Sequence, residues 1–288
     1  MAVKTAPEKA RGKHAVRKPS EKRGFFRRYW WAFVLTPVVA IAAALVTLLY
    51  VYSQLQLPPT PPPLQTTYVL DRHGNVIGTF HTSVDRTIIP FAQMPPPLRD
   101  AVVAAEDKDF YHHSGIDPVG ILRAAWNDLI ARKAVQGGST ITQQVVKNVY
   151  AGHYETDPAT GVTTYVIPPR TFTQKVREVL LAMKLDRTYS KDEILAQYLN
   201  TVYFGHGAYG VEAAARRYFS KSAAKLTLVE AATLAGAVQQ PVAYDPTRNP
   251  KSSQKRRTQV LNRMAEMGFI TPAVAREAAA VPTDTRAP

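Results

Sequence analysis

The chain contains no cysteine, so no disulfide braces it and no thiol acts as nucleophile or metal ligand. That absence says nothing about compartment. Acidic residues are scarce beside basic ones, 22 against 36, and the formal net charge is +14. The excess is uneven, because residues 1–28 hold ten Lys/Arg and only two Glu. A basic total raises nucleic acid as a partner. Basic charge gathered in a tail ahead of an apolar run points instead to a membrane, and no nucleic-acid partner is expected. Charge of either sign is missing altogether from Tyr29 to Leu70. The 288 residues are enough for one or two domains with a substantial core.

Residues 1–28 have no apolar periodicity and read as a disordered cytoplasmic tail. Residues 29–52 read as a transmembrane anchor. Trp30 to Leu49 alone would make a helix of about 30 Å, the thickness of a bilayer's hydrocarbon core. Tyr29, Trp30 and Trp31 mark one interface, Tyr50 and Tyr52 the other. Pro37 is tolerated in such a helix. A signal peptide has a shorter apolar core, about 7–15 residues, so an uncleaved single-pass anchor is preferred over that and over a buried core helix. Arg23, Arg27 and Arg28 keep the amino terminus cytoplasmic, which puts the rest of the chain outside. Residues 53–65, with their proline run, read as a stiff extended linker.

Beyond the linker, Thr66 to Phe80 predicts a β-hairpin turning at Asp71-Arg72-His73-Gly74-Asn75. Leu98, Ala101, Val102 and Ala105 recur at helical spacing, which puts Glu106 at a helix end. Asp117-Pro118 reads as an N-cap followed by proline at the first helical position. The stripe Ile121, Leu122, Trp126, Leu129, Ile130 packs inside the domain by default. With Arg123, Arg132 and Lys133 beside it, the alternative is a lip resting in the bilayer. Thr140 and Gln143 have capping-box spacing, and residues 151–169 read as an exposed loop or hairpin. Phe172 to Leu185 predicts a helix with Val176, Val179, Leu180 and Met183 as its buried stripe. Lys175, Glu178 and Ala182 share another face, from which Glu178 can look into a cleft. Helices follow over 194–200, 211–218 and 226–238.

Two stretches concentrate chemistry. Glu106-Asp107-Lys108-Asp109-Phe110-Tyr111-His112-His113-Ser114-Gly115 sets acids beside histidines and an aromatic; Gly137-Gly138-Ser139-Thr140-Ile141-Thr142-Gln143-Gln144, with Lys147-Asn148, offers hydroxyls, amides and a lysine. Such groups bind sugar hydroxyls and phosphate. Taken alone, Ser139 and Thr140 are as readily helix caps, and His113 a hydrogen-bonded structural histidine. Asp107 and Asp109 are more often solvated than catalytic, and the spacing of His112, His113 and Asp117 does not suit zinc.

Five ordered blocks resemble the peptidoglycan glycosyltransferases, glycosyltransferase family 51, as in the amino-terminal module of class A penicillin-binding proteins. They are Glu106-Asp107 with Phe110, His113 and Gly115; the Gly138 to Gln144 run with Lys147-Asn148; Lys175, Glu178, Ala182 and Leu185; Lys191, Ile194-Leu195, Tyr198-Leu199-Asn200, Phe204-Gly205 and Tyr209-Gly210; and Ala235-Gly236, Pro241 and Tyr244-Asp245-Pro246. The resemblance covers about Thr66 to Pro250. It implies a mainly α, lysozyme-like two-lobed domain over 66–250, with a small β-hairpin, behind one transmembrane helix. It implies polymerisation of lipid II, a disaccharide-pentapeptide on undecaprenyl diphosphate, with the nascent glycan strand as donor.

The expected chemistry is inverting. A sugar hydroxyl needs a general base, and a carboxylate in a partly apolar pocket suits that task; Glu106 matches the family's base. The departing diphosphate calls for cations and N–H donors, for which Lys147 and Lys175 are candidates. Glu178 matches the second glutamate, assisting the diphosphate directly or through a divalent cation, Mg or Mn. Asp107, Phe110, His113, Ser139, Thr140, Gln143, Gln144, Lys147, Asn148 and Lys175 form the expected substrate-binding set. The bilayer and cell-wall synthesis proteins are the further expected partners, and the bacterial plasma membrane the expected location. The chain departs from the family's usual residues at Gln174, Asp186 and Ala196.

Ser222/Lys225 and Ser252/Lys255 have Ser-x-x-Lys spacing without the Ser-x-Asn and Lys-Thr-Gly that a transpeptidase adds, and read as coincidence. Residues 251–288 resemble the linker helices of bifunctional members, so the chain reads as a truncated bifunctional enzyme or a natural short form. A glycoside hydrolase and an inactive lipid II-binding scaffold are the rival functions.

Overall fold

In the computed structural model, residues 22–57, 65–73, 76–80, 85–122, 138–161, 163–166, 169 and 171–285 are described. Most of the basic tail, the proline run 58–64 and the stripe around Trp126 lie outside them. The chain divides into two units, residues 1–54 and 55–288.

The first unit contains helix α1, Lys22–Gln54. Within it, Tyr29–Gln54 has 26 residues, its most apolar 18-residue stretch has a mean hydropathy of 2.5, and it makes about 39 Å of helix at 1.5 Å per residue. By length and composition it can cross a membrane. Its large apolar side chains, Trp30, Trp31 and Leu49 among them, are exposed, as expected of a lipid-facing helix and not of a core helix.

The second unit opens with an antiparallel hairpin, β1 (Thr67–Leu70) and β2 (Val76–Phe80), with Thr67 opposite Phe80. Helix α2, Pro96–Glu106, begins on prolines that need no amide partner and buries Leu98 and Ala101 to Ala105. Residues 118–122 are helical, and the Asp117 carboxylate accepts the Gly120 amide at 2.8 Å. Helix α3, Ile141–Val145, starts at a complete capping box between Thr140 and Gln143. It runs straight into a π-helical turn, Val146–Tyr150, where the Ala151 amide reaches back to the Val146 carbonyl at 2.9 Å. A second hairpin, β3 (His153–Thr156) with β4 (Thr163–Val166), occupies the turn-rich stretch.

Helices α4 (Phe172–Thr188) and α5 (Lys191–Thr201) follow. A short third hairpin, β5 (Tyr203–Gly205) with β6 (Ala208–Tyr209), precedes α6 (Val211–Phe219), α7 (Leu228–Ala237), α8 (Pro250–Glu266) and α9 (Pro272–Ala280). The architecture is mainly helical with small hairpins and one apolar helix near the amino terminus, as the sequence predicts for all but the third hairpin.

The core draws on all of α2 to α9 together, with Leu98, Phe110, Tyr198, Phe204, Leu234 and Leu261 fully buried. Each such side chain stabilises the fold by about 1.5–3 kcal/mol. Residues 251–288, read as a linker or tail, contribute Val260, Leu261, Met264, Ala275 and Ala278 to this core. Arg257 is fully buried and donates to the Ala279, Val281 and Thr283 oxygens, tying α9 and the extended segment after it to α8.

One expectation needs correction. On α4 the buried residues are Glu178, Leu180, Leu181, Ala182 and Leu185, whereas Val176, Val179 and Met183 are only half-buried. Leu181 and Leu185 set the buried face, and Glu178 lies on it one turn earlier. A charged residue inside that face hides it from a count of apolar spacing.

Candidate functional site

A cleft of about 1010 Å³ opens in the second unit. Glu106 enters it from the carboxyl end of α2. Gln144 and Lys147 enter from α3 and the π turn, and Lys175 and Glu178 from α4. The two glutamates expected to share the chemistry thus line one cleft. Of the remaining expected residues, Asp107, Ser139, Thr140, Gln143 and Asn148 also line it.

Glu106 is partly buried, and burial raises its carboxyl above the usual range. Opposing that are a hydrogen bond from Gln144 and the positive charges of Arg256 and Arg263; the neighbouring Asp107 adds to the rise. Gln144 Nε2 donates to Glu106 Oε2 at 2.9 Å, and Gln144 Oε1 accepts from the Tyr198 hydroxyl at 3.2 Å. Tyr198 is fully buried, and burial together with Glu106 and Asp107 pushes its hydroxyl well above the ordinary value, so it stays a donor. A relay Tyr198–Gln144–Glu106 therefore orients the amide so that only its N–H faces the carboxylate.

Asp107 is buried and turned to structural work. Both of its oxygens lie 3.0 Å from His113 Nε2, and Oδ2 also accepts the Ile141 amide at 2.9 Å. It thereby fastens the loop after α2 to the start of α3. Thr140 Oγ1 donates to the Gly115 carbonyl at 2.7 Å and accepts the Gln143 amide at 3.2 Å, a second fastening of the same two stretches. Gly115 has φ +80°, and a Cβ there would sit 2.5 Å from the Ala182 carbonyl oxygen on α4. Only glycine lets this loop lie against α4.

Phe110 and His113 are not among the residues lining the cleft. Phe110 is fully buried, edge-on to Tyr111 and His113, with the Lys191 ammonium 4.8 Å from its ring centre. Lys191 also donates to the His113 carbonyl at 2.6 Å and pairs with Asp186. These two expected ligands support the loop from behind.

At another part of the cleft wall, Lys175 Nζ lies 3.3 Å from Glu178 Oε2, 3.1 Å from Ser139 Oγ and 3.5 Å from Gln143 Oε1. Lys175 is about half exposed and Glu178 nearly buried. Gln174 lines the cleft beside them. Gln143 is buried, and its Nε2 has no hydrogen-bond partner among the described residues.

Asn200, Gly205 and Gly210 serve the backbone. Asn200 exchanges two hydrogen bonds with the Ile89 main chain at 3.0 and 3.1 Å. Gly205 and Gly210 have φ of +102° and +84°. Sequence reasoning missed Arg263 as a cleft-lining residue. It lies beyond the five blocks, on a segment read as a tail, and nothing in its spacing signals a site.

The cleft supplies a base-like carboxylate with a raised pKa and, elsewhere on its wall, a lysine, hydroxyl and amide cluster suited to phosphate or sugar oxygens. Comparison with known proteins agrees in kind. The transglycosylase family model matches residues 73–265. Penicillin-binding protein 1A of Aquifex aeolicus (strain VF5) is 41% identical over 257 residues, 85% of this chain and 32% of that protein. Penicillin-binding protein 1A/1B of Bacillus subtilis (strain 168) is 36% identical over 272 residues, 93% of this chain and 27% of its own. A crystal structure of penicillin-binding protein 1A from Haemophilus influenzae aligns with a TM-score of 0.44 at 23% identity, over 80% of this chain and 22% of that one. The chain spans about a third, or less, of the length of the curated relatives it matches.

Proposed function

The chain belongs to the transglycosylase family, the peptidoglycan glycosyltransferase module of class A penicillin-binding proteins, and on that basis we propose that it polymerises lipid II into β-1,4 glycan strands. One observation carries the reading: Glu106, with its raised pKa, and the Lys175–Glu178 pair line the same cleft.

In this reading Glu106 takes the proton from the acceptor sugar's 4-hydroxyl as that oxygen attacks the anomeric carbon of the donor. The bond to the diphosphate breaks on the opposite face, which inverts the α-linked donor to a β product and releases undecaprenyl diphosphate. A base whose pKa sits above that of an ordinary carboxylate is better matched to a weakly acidic alcohol. Charge grows on the diphosphate as it leaves, and Lys175 and Lys147 are the groups to receive it.

Among the described residues no three His, Asp or Glu side chains gather as a metal site. Glu178 as a single carboxylate suits a divalent cation that arrives with the substrate, since Mg²⁺ is commonly held by one or two carboxylates plus phosphate oxygens. Its chemistry there would be to neutralise the leaving diphosphate. Helix α1 anchors the module in the plasma membrane, with its amino terminus cytoplasmic and the catalytic unit outside, beside its lipid-linked substrate.

The test is polymerisation of labelled lipid II by purified protein in detergent, with and without added Mg²⁺ or Mn²⁺. Wild type should form polymer, and Glu106→Gln should form none while folding normally. Soluble muropeptides released from lipid-free peptidoglycan would replace this reading with a hydrolase. Binding of lipid II without turnover under any metal condition would leave a scaffold.

A further inference from the structure

Helix α2 ends at Glu106, and the last carbonyls of a helix have no partner within it. The Ala105 carbonyl, immediately before the base, is met from outside the helix: Arg263 Nη1 donates to it at 2.8 Å. Arg263 sits on α8, 158 residues along the chain, and lines the cleft. Arg256 lies two turns earlier on the same helix, hence on the same face. It is buried, donates to Gln259 Oε1 at 3.2 Å and stands over the Tyr244 ring at 5.8 Å. Gly236 on α7 makes room for it, because a Cβ there would meet Arg256 Cγ at 3.0 Å. Two guanidinium groups from a segment outside the family's five blocks therefore bear on the base.

We infer that Arg263 is a positioning residue for Glu106: its guanidinium ties the last turn of α2 to α8 and fixes where the Glu106 carboxylate stands in the cleft. The inference rests on Glu106 being the base. Burial of Glu106 favours the neutral acid, and the groups that bear on it are Gln144, Arg256 and Arg263 on the side of ionisation, with Asp107 against. Tyr198, one step behind Gln144, stays neutral. Arg263 is the charged member of this set whose hydrogen bond also holds the α2 backbone.

The experiment compares wild type, Arg263→Gln and Arg263→Lys in the full membrane-anchored chain. Lipid II polymerisation is followed against pH, and the Glu106 carboxyl is titrated directly by carbon-13 NMR. Arg263→Gln should raise the acidic limb of kcat by about half to one pH unit. It should lower kcat about tenfold while KM changes less than about twofold, the mark of a group that acts on the base and not on substrate. Arg263→Lys should restore the limb to the wild-type position and recover most of kcat. Equal losses in both variants with an unmoved limb and an unmoved carboxyl titration would reduce Arg263 to a packing residue and overturn the inference. If wild type fails to polymerise, the function is at fault; the carboxyl titration still decides the Arg263–Glu106 coupling. Thermal melts exclude variants that do not fold.

Discussion

Replacing Gln144 by leucine removes the neutral donor that Glu106 has among the described residues, while roughly keeping side-chain volume. The amide gives the carboxylate a 2.9 Å hydrogen bond. A hydrogen bond to a charged group is worth about 1.5–3 kcal/mol in a buried setting, and one pKa unit corresponds to about 1.4 kcal/mol. The Glu106 carboxyl, already raised by burial, should therefore rise by about one to two further units in Gln144→Leu. The base works ionised, so the acidic limb of kcat/KM must move to higher pH, and at a pH below the new value each unit costs about tenfold in rate. Rates at high pH should approach wild type, because there the carboxylate is ionised with or without the amide. A second consequence concerns folding. The Tyr198 hydroxyl would lose its acceptor inside the core, a penalty of about 1–3 kcal/mol, which Tyr198→Phe should relieve in the double variant. Initial rates of lipid II polymerisation across about pH 5 to 9, with a thermal melt for each variant, read both effects. An acidic limb within about 0.3 unit of wild type would refute the reasoning, since either Gln144 does not hold the carboxylate or Glu106 is not the titrating base.

Other outcomes follow from the same geometry. Glu106→Gln should melt at or above the wild-type temperature at neutral pH while losing polymerisation. A folded-state pKa above the ordinary value means that stability is full below that ordinary value and falls as pH rises through the raised one, so the ionised side chain is a net burden at neutral pH; a flat difference in melting temperature from acid to neutral pH would contradict this. Lys175→Met should weaken both binding and turnover of lipid II by about ten- to a thousandfold, measured as KM and kcat, with little change in the acidic limb. Gly115→Ala should destabilise the fold by about 1–3 kcal/mol in a denaturant melt, because the added carbon meets the Ala182 carbonyl at 2.5 Å.

Much of the site was legible in the order of the amino acids. Apolar spacing over Leu98 to Ala105 put Glu106 at a helix end, and it is the last residue of α2. The capping box at Thr140 and the first two hairpins were local signals, and local signals survive folding. What escaped was non-local. Phe110 and His113 look like ligands in a run of chemistry-bearing residues, yet the former packs in the core and the latter clasps Asp107. Arg263 looks like one basic residue in a basic helix, and its meaning depends on a carbonyl 158 residues away. The α4 face was misread because Glu178 occupies a buried position that binary patterning assigns to an apolar residue. Such a mismatch between pattern and burial is itself a mark of function.

The π turn at Val146–Tyr150 has an evolutionary reading. A turn of this kind holds one residue more than an α turn, so it is what a single inserted codon leaves behind when the flanking helix refuses to unravel. Lys147 and Asn148 sit within it and face the cleft. Excising one residue there would close the segment as an ordinary α turn and withdraw the bulge that presents Lys147 and Asn148 to the cleft.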